Sequence, residues 1–323
     1  MKAIRLTATG GPEVLALVDL DAPAPGPGQI RVRQTAIGVN YIDTYHRSGL
    51  YPLKLPSGLG MEGAGEVDAV GEGVTRFAPG DRVAFASGPI GAYAEWHCVD
   101  ASRAVRIPEG VEDRAAAAAL LKGMTAEFLL LRCRPVAPGE TVLIHAGAGG
   151  VGQILVQWAK ALGAQVIATA GSAAKGDTVR DLGADHVILY GEQDVAAEVR
   201  RITQGAGVSV AYDSVGAATF EGTLASLSRR GVFVSFGNAS GPPPAVEPGR
   251  LMRMGSLFLT RPTLGDYVAT TEELDASAGA VFARIAAGEI DIEIGQTFPL
   301  SQARAAHEAL ESRQTIGSTL LIP

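Results

Sequence analysis

Up to about residue 110, apolar and polar positions alternate in short runs broken by Gly and Pro: "KAIRLTA", "QIRVRQTAIGVN", "GAGEVDAVG" and "GDRVAFA". A period of two between turn residues predicts strands, and their close spacing predicts a β-rich domain. From residue 141 the pattern changes. "TVLIHA" (141–146), "QVIATA" (165–170), "HVILY" (186–190), "VSVAYDSV" (208–215), "GVFVSFG" (231–237) and "SLFLT" (256–260) are short, apolar runs with helical spacers between them. In the first spacer Val151, Leu155, Trp158 and Leu162 share one helical face. Six such strands predict a parallel sheet covered on both faces, the doubly wound α/β fold. After "LTRPTLGDY" the order is helix, strand, helix and a last strand, "GSTLLIP", while "SGPPPAVEPG" (240–249) predicts a loop.

The first strand-to-helix turn of this second half carries the most specific motif. Gly147-Ala148-Gly149-Gly150-Val151-Gly152 matches G-x-G-x-x-G, directly after a strand and at the start of a helix. Gly147 allows the tight turn, Gly149 lets a pyrophosphate approach the backbone, and Gly152 allows close helix–strand packing. The helix start adds N–H donors and a positive dipole. A dinucleotide is expected here.

The end of the second strand separates the two candidate dinucleotides. An NAD site usually places Asp or Glu there to accept from the ribose 2′-OH. Here "ATAGSAAKGD" puts Gly171 and Ser172 at that point, then Lys175, with no acid before Asp177. An uncharged turn followed by a lysine suits a 2′-phosphate, which a carboxylate would repel. Tyr190, ending the third strand, is placed to stack on adenine or to donate to that phosphate. NADPH is expected rather than NADH.

Composition narrows the classes further. With 323 residues, 47% of them hydrophobic, the chain is long enough for two domains and a sizeable core. A formal net charge of −7 and the lack of a Lys/Arg block argue against nucleic acid or an acidic membrane as partner. The most apolar run, "AAAAALL", is too short to span a bilayer, and "MKAIRLTATGG" lacks a signal-peptide core. Cys98 and Cys133 are the only cysteines, which excludes a disulfide framework and fits a reducing cytoplasm.

Taken together, "GVNYIDTYHRSGLYPLKLPSGLGMEGAGEV", "LLKGMTAEFLL", "HAGAGGVGQILVQWAKALGA", "VAYDSVG" and "VSFGNASG" resemble the medium-chain dehydrogenase/reductase superfamily. The closer resemblance is to its zinc-free quinone oxidoreductase, or zeta-crystallin-like, branch, and it runs through "AHEALESRQTIGSTLLIP". It implies a β-rich GroES-like catalytic domain, residues 1–122 and 262–323, and a six-stranded Rossmann domain, residues 123–261. Zinc members of the superfamily carry Cys in a "GVC" position and His in a "GHE" triplet. Those positions here hold Asn40 and Met61, with Glu62 kept beside the latter, and "LLKGMTAEF" lacks the third ligand, a cysteine. The five histidines, His46, His97, His145, His186 and His307, are scattered without an H-x₃₋₅-H pair, so each is expected to be structural. No metal is expected.

Residue by residue, the resemblance implies that Asn40 faces the nicotinamide and that Tyr45 and Tyr51 line the substrate cleft. It places Thr125 beside the nicotinamide ribose, just after Lys122, and Gly150 and Val151 at the pyrophosphate. Phe236, Gly237, Asn238 and Ser240 border the nicotinamide side, and Arg313 reaches back toward the cofactor. Without a Lewis acid the acceptor should already be electrophilic: a quinone, or a conjugated enone, taking hydride or single electrons from NADPH. No Tyr-x-x-x-Lys or G-x-S-x-G motif occurs. NADPH-dependent quinone reduction is therefore expected, with an enone or enoyl-thioester reductase and a non-catalytic NADPH-binding protein as alternatives. The strand "SLFLT" would form an apolar sheet edge, and pairing of that edge in a homodimer is implied.

Overall fold

The longest strand, Gln29–Val39, organises the first of two units. Along its first half Ile30 and Val32 are fully buried while Arg31 and Arg33 pair outward with Asp68 and Glu66. That alternation is what a strand with one covered face requires. Glu62–Val70 pairs along one edge, and Trp96–Asp100 and Ser318–Ile322 share the other. With Arg82–Phe85, Ala104–Arg106 and Ile294–Pro299 these strands form a seven-stranded sheet. It is antiparallel except where Ile294–Pro299 runs parallel to Ser318–Ile322. Trp96–Asp100 and Ala104–Arg106 are strands not anticipated from the sequence.

The computed structural model describes residues 1–323. The first unit comprises Met1–Met124 and Val268–Pro323, and the second Thr125–Tyr267. The chain returns to the first unit at Val268, later than residue 262, because Leu264–Tyr267 stays with the second unit. There the Tyr267 ring stacks on Phe128 at 4.3 Å, and its carbonyl accepts from Arg132 at 2.6 Å. No helix is long and apolar enough to cross a membrane.

The second unit holds six parallel strands in the order His186–Leu189, Gln165–Ala170, Thr141–Ile144, Val208–Asp213, Leu227–Ser235, Phe258–Thr260. This is the doubly wound sheet that the apolar runs call for. Val142, Leu143, Ile144, Val166, Ile167 and Ala168 are all fully buried, as strands covered on both faces must be. The order reverses between Thr141–Ile144 and Val208–Asp213, and the strand ends beside that switch point form the place where such folds take ligands. The helix Gly150–Ala161 buries Ile154, Leu155, Val156, Trp158 and Ala159, whereas Val151 and Leu162 are only half-buried. Its covered face is wider than one stripe because it packs on two strands and also on the segment Leu129–Cys133.

Three histidines are buried in the first unit; burial lowers the pKa of His46 and moves those of the other two rings further. His97, 8% exposed, lies with Nε2 3.0 Å from the Pro89 carbonyl, and burial pushes its pKa down to about 4. His307 is pushed down to about 3 by burial and by the Arg47 guanidinium. An unfolded histidine takes up a proton below its ordinary value of 6.5. The two rings therefore add stability that is complete above that pH and is lost as pH falls toward 4 and 3. Asp43 works in the other direction. Burial raises its carboxyl from 3.8 to about 7, so its share is present at low pH and is lost as pH rises through that window. Two proton-refusing rings outweigh one proton-holding carboxyl, and the fold is expected to weaken on acidification from about pH 6 to pH 4. Urea unfolding across that range should show His97→Gln with a pH slope shallower by about 1.4 kcal/mol per pH unit. An unchanged slope would mean that His97 protonates freely in the folded protein.

Candidate active site

The glycine-rich turn is built by close approach. A Cβ at Gly152 would lie 2.2 Å from the Ala146 carbonyl oxygen and 2.9 Å from the Gly147 Cα, so only glycine lets the helix begin here. A Cβ at Gly147 would press on Ala168 and Val179 at 3.0 and 3.1 Å. At Gly149 the only neighbour is the Ala146 oxygen at 3.3 Å, with open space otherwise. Gly150 and Val151 are the first residues of the helix, so their N–H groups find no partner within it and stand at the positive end of its dipole.

At the end of the next strand, Gly171 and Tyr190 meet. A Cβ on Gly171 would stand 2.5 Å from the hydroxyl of the exposed Tyr190 side chain, so the phenol lies against the position that is usually acidic in NAD sites. Ser172 caps the helix Ala173–Asp181, its hydroxyl accepting from the Lys175 N–H. Lys175 is half-buried, and burial lowers its pKa. Asp177, the first acid after the strand, is paired with Arg180 at 2.6 Å. Gly171, Ser172 and Tyr190 are exposed at this strand end, and Lys175 is on the first turn of the helix that follows.

The ends of the next two strands are tied together. A Cβ on Gly237 would lie 2.3 Å from the Ser214 carbonyl oxygen. The Phe236 N–H donates to the Asp213 carbonyl at 2.8 Å. The Ser240 N–H and hydroxyl both donate to the Val215 carbonyl, at 2.7 and 2.8 Å, and Gly241 N–H donates to the Asn238 carbonyl. Thr125 is half-buried on the helix Asp113–Phe128.

The first unit contributes a separate buried polar cluster. Glu62 is fully buried and accepts from Asn40 Nδ2 at 2.7 Å, the Leu121 N–H at 2.7 Å and Lys122 Nζ at 3.2 Å. Gly38 makes room for it, since a Cβ there would stand 2.2 Å from Glu62 Oε2. Asn40 begins the helix Tyr41–Ser48, and its backbone N–H donates to Asp43 at 2.9 Å. Asp43 also accepts from the Tyr93 hydroxyl at 2.9 Å, Tyr93 lies 3.0 Å from His307 Nε2, and Arg47 joins His307 to Glu311. Tyr45 is only 8% exposed, its ring packed between Tyr41 and Tyr51 at 5.8 and 5.2 Å. Tyr51 is the half-buried ring of the pair. Arg313 is exposed and bonds to the Tyr41 side chain.

These donors do not fit a zinc ion. Glu62 is taken up by an amide, an N–H and an ammonium, Asp43 by the Asn40 N–H and the Tyr93 hydroxyl, and no group of three or more His, Cys, Asp or Glu side chains could hold a metal. Sequence reading missed Asp43, Tyr93 and Arg47, and it treated His307 and His145 as isolated. His145 is fully enclosed, with Nε2 2.9 Å from the Thr223 hydroxyl and Nδ1 3.2 Å from that of Thr169. Its place directly before the glycine turn was the only available signal.

Comparison with known proteins agrees with this geometry. Residues 26–109 match a family model described as an alcohol dehydrogenase GroES-like domain, and residues 150–278 one described as a zinc-binding dehydrogenase. A quinone oxidoreductase of Pseudomonas aeruginosa is 51% identical over 100% of this chain and 99% of its own. A 2-haloacrylate reductase of Burkholderia is 43% identical over 97% of this chain and 96% of its own. The crystal structure of Escherichia coli quinone oxidoreductase complexed with NADPH matches with a TM-score of 0.98 at 47% identity, covering 100% of both chains. A sequence match that runs end to end, two family models over the two units and a fold that superposes over the whole chain have one explanation: the chain belongs to the quinone oxidoreductase branch of the medium-chain dehydrogenase/reductase superfamily.

Proposed function

We propose that this protein is an NADPH-dependent quinone reductase that works without a metal. The observation that carries the reading is the second strand end, where Gly171 and Ser172 stand at the position of the usual acid, with Tyr190 against Gly171 and Lys175 on the first turn of the next helix. NADPH, when bound, supplies hydride from C4 of its nicotinamide. The N–H groups at Gly150 and Val151, on the turn made possible by Gly147 and Gly152, hold the pyrophosphate. Lys175 and Tyr190 hold the 2′-phosphate, as an ammonium and a phenol can and a carboxylate cannot. Thr125, Phe236, Gly237, Asn238 and Ser240 take the nicotinamide side.

Asn40, oriented by its bond to Glu62, faces the nicotinamide, and Tyr51 with Tyr45 behind it offers a flat aromatic surface to the acceptor. Arg313 serves the cofactor from its place beside Tyr41. Catalysis rests on proximity and orientation. The 2-haloacrylate reductase relative supports a second reading, reduction of an activated carbon–carbon double bond. Cys98 and Cys133 as free thiols support a cytoplasmic setting, and the net charge of −7 speaks against a nucleic-acid partner. The edge strand Phe258–Thr260 leaves Phe258 60% and Leu259 37% exposed, an apolar edge that a second copy of the chain would cover.

Phenanthrenequinone should be reduced with NADPH in preference to NADH, at a rate that EDTA leaves unchanged. Turnover only with 2-haloacrylates or enones would move the assignment to the second reading. Replacing Lys175 by Ala should raise the KM for NADPH about tenfold, with that for NADH little altered; equal losses for both would place Lys175 away from the 2′-phosphate. Sedimentation should give twice the chain mass, and Phe258→Lys should give the monomer. A wild-type monomer would remove the dimer from this reading.

A further inference from the structure

Beneath the strand ends lies a buried hydrogen-bonded chain. Asp213 ends the strand Val208–Asp213 and is fully buried. Its Oδ1 accepts from the N–H groups of Val215 and Gly216 at 2.7 and 3.1 Å. Its Oδ2 accepts from the hydroxyls of Thr219 at 2.6 Å and Thr223 at 2.9 Å. Thr223 lies 2.9 Å from His145 Nε2, and His145 Nδ1 lies 3.2 Å from the Thr169 hydroxyl, which also accepts from the Ala146 N–H at 3.2 Å. Gly147 N–H donates to the Thr169 carbonyl at 2.9 Å.

Proton counting gives this chain a direction. Asp213 as a carboxylate can only accept, and Thr223 has a single hydrogen to give. The Thr219 carbonyl, 2.8 Å from the same hydroxyl, is the uncharged alternative, so the hydrogen goes to the Asp213 carboxylate. The Thr223 oxygen must then accept, so His145 donates from Nε2 and accepts at Nδ1. Thr169 then donates to His145 and accepts from Ala146. Every donor points the same way, from the Ala146 amide to the Asp213 carboxylate, and bonds ordered in this way polarise one another. The amide held at the far end belongs to a non-glycine residue at φ 53°, in the left-handed region, directly before the glycine turn.

The same carboxylate holds the other side. By fixing the N–H groups of Val215 and Gly216 it fixes the Val215 carbonyl, on which Ser240 hangs by its N–H and its hydroxyl. One buried group therefore sets both the turn expected to take the pyrophosphate and the segment expected to take the nicotinamide side.

We infer that Asp213, acting through Thr223 and His145, is a positioning residue for the dinucleotide, setting the Ala146–Gly152 turn and the 238–240 segment. The inference rests on the reading of this edge as an NADPH site. Thr223→Val removes the hydroxyl in the middle of the chain at nearly constant shape, while Thr223→Ser keeps it. Titration of NADPH by its fluorescence, together with steady-state quinone reduction, should show Thr223→Val with an NADPH Kd and KM raised about tenfold and kcat at saturating NADPH within about twofold. Thr223→Ser should restore the wild-type affinity. Equal affinity in the folded valine variant, or the same loss in both variants, would overturn the inference.

Should the valine variant fail to fold, ¹⁵N shifts of the His145 ring in the wild-type protein still decide: a neutral Nε2–H tautomer is expected. An Nδ1–H tautomer or a doubly protonated ring would reverse the chain and sink the idea. Wild-type protein that binds no NADPH would overturn the cofactor reading, and this inference with it.

Discussion

The nucleotide-binding edge depends on how closely the helix Gly150–Ala161 approaches the end of the strand before it. The Ala146 oxygen would be 2.2 Å from any Cβ at position 152, so the helix can start there only because that atom is missing. Its first N–H groups and the positive end of its dipole consequently stand at the carboxyl edge of the sheet, beside the switch in strand order. A second close approach, Gly237 against the Ser214 carbonyl, brings the neighbouring loops together. The site is a property of backbone proximity first and of side chains second.

A different constraint shapes the first unit. It is assembled from two stretches of chain separated by the whole of the second unit, and a buried polar network joins them. Asp43 and Arg47, on the helix that follows the longest strand, reach Tyr93, His307 and Glu311. Pairing of Val39 with Thr319 closes the same junction through the sheet. Buried carboxylates are tolerated only with partners, and removing one member of such a pair typically costs about 3–5 kcal/mol. Glu62 illustrates the rule: an amide, a backbone N–H and an ammonium surround it. Those partners turn the position that resembles a metal centre in related folds into a rigid organic cluster, with Asn40 held in one orientation.

Legibility in the sequence followed the range of the interactions. The strand Gln29–Val39 and the six apolar strands were legible because alternation and apolar runs are local patterns, whereas Trp96–Asp100 and Ala104–Arg106 went unread. The glycine turn was legible because all of its requirements fall within six residues. Tyr190 was placed near the second strand end from its position in the third, but the contact of its hydroxyl with Gly171 needed coordinates. Tyr45 was picked out by its place in the helix, but its packing between Tyr41 and Tyr51 needed coordinates.

The sequence by itself determined the doubly wound sheet, the dinucleotide turn, the lack of an acid at the second strand end and the lack of a zinc ligand set. Each of these depends on residue types at fixed short spacing, where the covalent chain does the positioning. The tertiary structure alone decided which polar residues act together. His145 and Thr223 are 78 positions apart, Arg47 and His307 are 260 apart, and none carries a motif. Their partnership arises because burial leaves each polar atom to find whichever donor or acceptor the fold brings within reach, and unmet polar groups in an apolar interior are costly.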